Sequence, residues 1–215
     1  MMAQIEAAQA DRGIRVASVV LMGMGEPLDN FDHVMHFLGM LARPGGVQIG
    51  MRHVSLSTCG IVDQIYRLME DELQLTLSVS LHAPDNAVRD TIMPVNRRYP
   101  IETLLAACRT YFEKTGRRIS FEYAMIRDVN DSQEMAELLI RRLKGIAAHV
   151  NLIPLNNIEE SPLKPSRPET VLAFQKTLEA HGIPATVRRT LGSDINASCG
   201  QLRRKFEQQT NGKEC

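Results

Sequence analysis

The sequence predicts an α/β fold with a parallel sheet, and three observations carry that reading. Short apolar runs alternate with amphipathic helical stretches roughly six times along the 215 residues. Nearly every strand ends, on its C-terminal side, in glycine or a polar residue: Gly25 and Glu26, Ser57, Ser80 and His82, Glu122, Asn156. The composition is that of an ordinary globular chain, 44% hydrophobic and 23% charged. Strand–helix alternation entails parallel strands joined by right-handed crossovers. Six units fall short of the eight of a closed barrel, so a partial barrel and a doubly wound sheet are both open. The polar strand ends favour the partial (β/α)6 barrel, because they would converge on one mouth where such proteins bind ligands.

Residues 2–11 read as the end of a helix, 17–22 as a buried strand, and 23–27 as a glycine-rich turn. Val34, Phe37, Leu38 and Leu41 stand at helical spacing, which predicts a helix over 31–41. Residues 53–57 form the next strand, followed by Gly60 and a helix through Ile65 and Leu68. A third strand over 75–81 is bounded by His82, Ala83 and Pro84, and helices over 86–92 and 100–112 are divided at Pro94. After a strand over 118–126, Asp131 precedes Glu134 by three residues, the spacing of a capping box. A strand over 149–154 leads into a loop with Pro162, Pro165 and Pro168, where Ser166 and Glu169 repeat that spacing. The helix so opened stops at Gly182, residues 184–189 form the last strand, and 202–209 look helical. Residues 1–190 therefore read as the barrel body, and 191–215 as a C-terminal segment with Cys199 and a basic helix. The first strand would be an uncovered edge, so a further element is expected before it.

Composition excludes several classes. No apolar run approaches the ~20 residues of a membrane span, and no charged-then-apolar leader opens the chain, so a cytoplasmic location is expected. Lys plus Arg and Asp plus Glu number 25 each, so no global field draws the chain to nucleic acid. Tryptophan is absent and aromatics are 5%, which disfavours base stacking as the main recognition mode. Cys59, Cys108, Cys199 and Cys215 are far apart and form no C-x-x-C pair.

The strand-end residues are the candidates for chemistry. Glycines at 23 and 25 allow close ligand approach, and Glu26 offers a carboxylate to an ammonium; a plain strand-to-helix turn is the blander alternative. Ser57, Ser80 and His82 could hydrogen-bond a polar ligand, although strand-end serines often satisfy their own backbone. Asn156 could hold a carboxylate or a ribose hydroxyl, or simply make an Asx turn. Cys199 lies in a polar, glycine-containing segment and is the candidate nucleophile; Cys108 sits on an apolar helix face. Arg188, Arg189, Arg203, Arg204 and Lys205 neighbour Cys199 in the chain and are assigned to phosphate contacts.

Taken together, residues 20–28, 55–60, 78–83, 150–156 and 194–201 resemble the RlmN/Cfr family of radical S-adenosylmethionine (SAM) RNA methyltransferases. The resemblance covers essentially the whole chain in order and is closer to the RlmN branch. It implies a radical SAM barrel in which Gly25, Glu26, Ser57, Ser80, Leu81, His82 and Asn156 contact SAM. It implies that Cys199 is methylated on sulfur by one SAM, and that a second SAM is cleaved to a radical that activates this methyl. The methyl carbon then adds to C2 of an adenine in 23S rRNA, or of tRNA in some members. The implied partners are RNA and an electron donor such as flavodoxin, with the protein a monomer.

The departures are equally specific. The C-x-x-x-C-x-x-C motif that holds the family's 4Fe–4S cluster is absent, as is the second cysteine that resolves the protein–RNA adduct. Leu191 stands where arginine is expected, and Asn157 where proline is common. The expectation is a truncated portion lacking the first strand and cluster loop, inactive alone. A Cfr-like C8 methyltransferase and a non-catalytic SAM- or RNA-binding remnant are the alternatives. A lyase of the aldolase kind would need a Schiff-base lysine or paired carboxylates that the sequence does not display.

Overall fold

The computed structural model describes residues 1–23, 25–43, 46–156 and 162–188. Among these residues six strands, β1 (Val19–Leu21), β2 (Val54–Thr58), β3 (Thr76–Ser80), β4 (Ile119–Met125), β5 (Ala148–Pro154) and β6 (Ala185–Val187), form one sheet. Among the described residues seven α-helices accompany them: α1 (Met2–Arg12), α2 (Phe31–Leu41), α3 (Val62–Glu70), α4 (Asn86–Ile92), α5 (Ile101–Thr115), α6 (Gln133–Leu143) and α7 (Pro168–Ala180).

All neighbouring strands pair in parallel, in the order β1-β2-β3-β4-β5-β6. That order settles the choice the sequence left open. A doubly wound sheet reverses its strand order at a switch point, whereas an unbroken sequential order is the winding of a barrel. The sheet also curls: the Arg188 guanidinium, just past β6, reaches the Met22 sulfur, just past β1, at 3.9 Å. Among the described residues β1 pairs with β2 alone, and Val20 is exposed, the open edge expected from the sequence.

Strand periodicity of two divides the sheet into faces. Leu56, Leu77, Val79, Phe121, Tyr123, Val150 and Leu152 form the outer face and are fully buried under the helices. The helices answer with residues at helical spacing, such as Phe37, Leu38 and Leu41 of α2, and Leu104, Leu105 and Cys108 of α5. Each such side chain contributes about 1.5–3 kcal/mol by leaving water. Among the described residues no helix is long and apolar enough to cross a membrane.

Two helix starts differ from the sequence reading. The cap of α6 is Ser132, whose hydroxyl accepts the Met135 N–H at 3.3 Å; Asp131 instead accepts the Asp128 N–H at 2.9 Å. In α7, Pro168 occupies the first turn and Arg167 is the capping position, without a side-chain bond, so Ser166 is not a cap. The proposed helix over 202–209 and the 191–215 segment lie outside the described residues.

Candidate functional site

The mouth is assembled from strand ends. Glu26 follows β1 and caps a 3-10 turn over Pro27–Asn30. Its Oε1 accepts the Leu28 N–H at 3.0 Å and its Oε2 accepts the Cys59 N–H at 2.7 Å. One carboxylate thereby ties the end of β1 to the end of β2. An ionised carboxylate has about four lone-pair positions, so room is left for a cationic ligand group. Gly25 before it has φ +81° and open space where a Cβ would stand, so backbone conformation rather than crowding excludes a side chain there.

Cys59 is half-buried beside this carboxylate. Burial first, then a hydrogen bond to Glu26 and its negative charge, push the thiol up to about 12. A thiol so held is protonated at neutral pH and is no nucleophile.

The inner face of the sheet is polar, unlike the hydrocarbon filling of a closed barrel. Register puts Ser57 beside Ser78, Ser78 beside Ser120, and Ser120 beside His149. A second row runs from Ser80 through Glu122 and Asn151 to Thr186. Glu122 is buried, and burial raises its carboxyl, while hydrogen bonds from Asn151 Nδ2 at 2.7 Å and Ser120 at 3.3 Å act in the opposite direction.

Past β3, residues 80–82 leave the sheet in a closely tied turn. The Leu81 and His82 N–H groups both donate to the Glu122 carbonyl, at 3.1 and 3.2 Å. His82 has φ +59°, in the left-handed region that is uncommon for residues other than glycine. Its Nδ1 accepts the Ala124 N–H at 3.0 Å, which leaves the proton on Nε2. Burial, with the charge of Arg89, lowers this imidazole to about 4, so it is neutral at physiological pH. The Leu81 side chain is fully buried, so that residue serves the mouth only through its backbone.

Two fully buried polar side chains border this turn. Arg89 of α4 donates from Nε to the Leu81 carbonyl at 2.9 Å, and from Nη2 to the carbonyls of Cys59 and Ser80 at 2.9 and 3.1 Å. Its Nη1 donates to Asn96 Oδ1 at 2.9 Å. Burial lowers the guanidinium to about 10, still charged at neutral pH. Asn130 donates from Nδ2 to the carbonyls of His82 and Ala124, at 2.7 and 2.6 Å, and accepts the Ile126 N–H at 2.8 Å.

Of the residues singled out from sequence, Gly25, Glu26, Ser57, Ser80, Leu81 and His82 thus lie at or beside the C-terminal ends of adjacent strands. Asn156 is half-buried, two residues past β5. Arg188 is exposed at the end of β6. Cys199, Arg189, Arg203, Arg204 and Lys205 lie outside the described residues. Arg89 and Asn130 were missed, because nearly all their bonds go to backbone groups and leave no sequence pattern.

The family profile described as the Radical SAM superfamily matches residues 3–139. This chain belongs to that superfamily. Radical SAM proteins use SAM with a 4Fe–4S cluster, and the polar mouth suits the first of these. A curated relative from Caldanaerobacter subterraneus subsp. tengcongensis, named "Probable dual-specificity RNA methyltransferase RlmN", is 52% identical over 206 residues, covering 96% of this chain and 60% of the relative. One of the same name from Pelotomaculum thermopropionicum is 54% identical over 205 residues, covering 94% and 55%. The crystal structure of a radical SAM methyltransferase from Sphaerobacter thermophilus superposes with a TM-score of 0.87 at 45% identity, covering 93% of this chain and 58% of that one. The resemblance to the RlmN/Cfr family is borne out, and the chain spans about 55–60% of the curated relatives' length.

The donor set among the described residues does not fit the cluster. Among the described residues no group of three or more His, Cys, Asp or Glu side chains could hold a metal ion. Cys59 stands at a strand end, and Cys108 is sealed in the core with its thiol pushed up to about 12 by burial.

Proposed function

We propose that this chain is the barrel portion of an RlmN-type radical SAM methyltransferase whose mouth binds SAM. The complete protein would then methylate C2 of an adenine in 23S rRNA, with tRNA as a second substrate. The observation that carries this reading is 52% identity over 96% of the chain to a protein named as a dual-specificity RNA methyltransferase. When bound, SAM supplies the methyl group and the one-electron chemistry that activates it. The chain's own residues bind and orient it. Glu26 accepts the methionine ammonium, and Ser57, Ser80 and Asn156 hydrogen-bond the carboxylate or ribose. His82 donates from Nε2–H. Cys199 carries the transferred methyl, and Arg188, Arg189, Arg203, Arg204 and Lys205 contact RNA phosphates. Cys199, Arg203, Arg204 and Lys205 belong to a segment over 191–215 that follows the barrel body of residues 1–190, and Arg188 and Arg189 to the end of that body.

We further infer that the protein is monomeric and cytoplasmic, draws electrons from a flavodoxin-type donor, and is inactive as these 215 residues alone. Three thiolates on one loop hold such a cluster, and Cys59, Cys108, Cys199 and Cys215 are spread along the sequence. Calorimetric titration tests the reading: the chain is expected to bind SAM, and absence of heat contradicts it. A longer reading frame supplying the cluster loop is expected to methylate rRNA fragments, and its Cys199→Ala variant is not. Nucleoside analysis giving 8-methyladenosine instead of 2-methyladenosine would move the assignment to a Cfr-like enzyme.

A further inference from the structure

We propose that Arg89 and Asn130 are positioning residues that hold the turn over residues 80–82 in the conformation that forms the binding mouth. The SAM reading supplies only the identity of the ligand.

The turn is strained and held from both sides. A left-handed histidine persists only where its surroundings over-determine it, and such residues cluster at functional sites. Here the carbonyls of Ser80 and Leu81 are taken by Arg89, and that of His82 by Asn130. The N–H groups of Leu81 and His82 are taken by the Glu122 carbonyl, and the His82 ring by the Ala124 N–H. Arg89 therefore grips the turn from the β2 side and Asn130 from the β4 side. The same guanidinium binds the Cys59 carbonyl, while the Cys59 N–H binds Glu26. A single buried cation thus connects the strand ends that carry Glu26, Ser57 and His82.

The environment of Arg89 points to geometry rather than charge pairing. It is 0% exposed, and its acceptors are three backbone carbonyls and the Asn96 amide oxygen. Among the described residues no carboxylate lies within ion-pair distance of it. Burying a cation against dipoles alone is costly, and only the planar fork of arginine reaches three diverging carbonyls at once. Lysine would keep the charge and lose the fork.

The test uses the 215-residue chain with Arg89→Lys and Asn130→Ser. Backbone amide hydrogen exchange is followed without ligand, and affinity for S-adenosylhomocysteine is measured by calorimetry. Losing one of these bonds is expected to speed exchange at residues 81–83 about tenfold and to weaken the ligand about tenfold. Exchange in β5 and α7 is expected to stay at the wild-type rate. Protection lost evenly across the sheet would assign a purely structural role and overturn the proposal. Unchanged affinity with local loosening would overturn it equally. If the wild type fails to bind S-adenosylhomocysteine, the ligand reading falls, and exchange at 81–83 alone judges the positioning. Should Arg89→Lys not fold, Asn96→Ser, which removes one acceptor of the guanidinium, carries the same two readouts.

Discussion

Replacing Glu26 with glutamine isolates the contact that joins the first two strand ends. The carboxylate accepts two backbone N–H groups, from Leu28 at 3.0 Å and Cys59 at 2.7 Å. Glutamine keeps one acceptor oxygen and turns an NH2 donor against the other N–H, so one charge-assisted bond is lost outright. Hydrogen bonds to charged groups are worth about 1.5–3 kcal/mol, and with the second bond made neutral the loss comes to about 2–3 kcal/mol. For a chain of this size that lowers the melting temperature by about 4–12 °C. The Cys59 thiol responds as well. Burial is the largest cause of its upward shift, and Glu26 adds to it by hydrogen bond and by charge. In Glu26→Gln the thiol therefore falls but stays above its ordinary range. Thermal unfolding by circular dichroism reads the first effect, and the pH profile of Cys59 alkylation, resolved by mass spectrometry, reads the second. A melting temperature within about 1 °C of wild type, with an unchanged alkylation profile, would refute the reasoning.

Other expectations follow from the same geometry. Gly60→Ala puts a methyl at φ +103°, with the Leu104 methyls 2.9 and 3.0 Å away. Backbone strain and overpacking together cost about 2–4 kcal/mol, and a melting temperature unchanged to about 2 °C would contradict this. The His82 imidazole is lowered from 6.5 to about 4, so between those values the unfolded chain binds more protons than the folded one. Stability is therefore expected to fall as pH drops from 6.5 towards 4, and more steeply in wild type than in His82→Asn, measured by urea unfolding. Equal pH slopes in the two proteins would contradict it. Cys108 is fully buried, and its thiol is pushed up to about 12, so native-state labelling at pH 8 is expected to leave it unmodified until the chain is unfolded. Anaerobic reconstitution with iron and sulfide is expected to give no stable cluster absorbance with this chain, and a bound cluster would overturn that inference.

The strands and most helices were legible because burial imposes its period on the residues. Leu56, Leu77 and Phe121 alternate with Ser57, Ser78 and Glu122, and Phe37, Leu38 and Leu41 repeat at helical spacing. Alternation of strands and helices is shared by barrels and doubly wound sheets, and only the polar strand ends pointed to the partial barrel that the sequential strand order bears out. Helix starts were misread where two signals overlapped. Asp131 and Ser132 both suit a cap, and the Pro168 ring moves the start of α7 past Ser166. Glu26, Ser57, Ser80 and His82 were singled out as candidates from their places at strand ends, because parallel strands deliver those positions to one side. Arg89 and Asn130 were invisible for a physical reason. Apart from the Asn96 amide, their partners are backbone groups up to 30 and 48 positions away, and any sequence supplies carbonyls.

The central claim is that one mouth, built from four strand ends, holds SAM. Backbone amide NMR of the chain titrated with SAM tests it most directly. The account predicts shifts concentrated at residues 25–28, 57–60, 80–83 and 153–156. Shifts centred instead on the groove between Gln9 and Gln48, or on the rim between Arg127 and Arg167, would contradict it, as would a spectrum that SAM leaves unchanged.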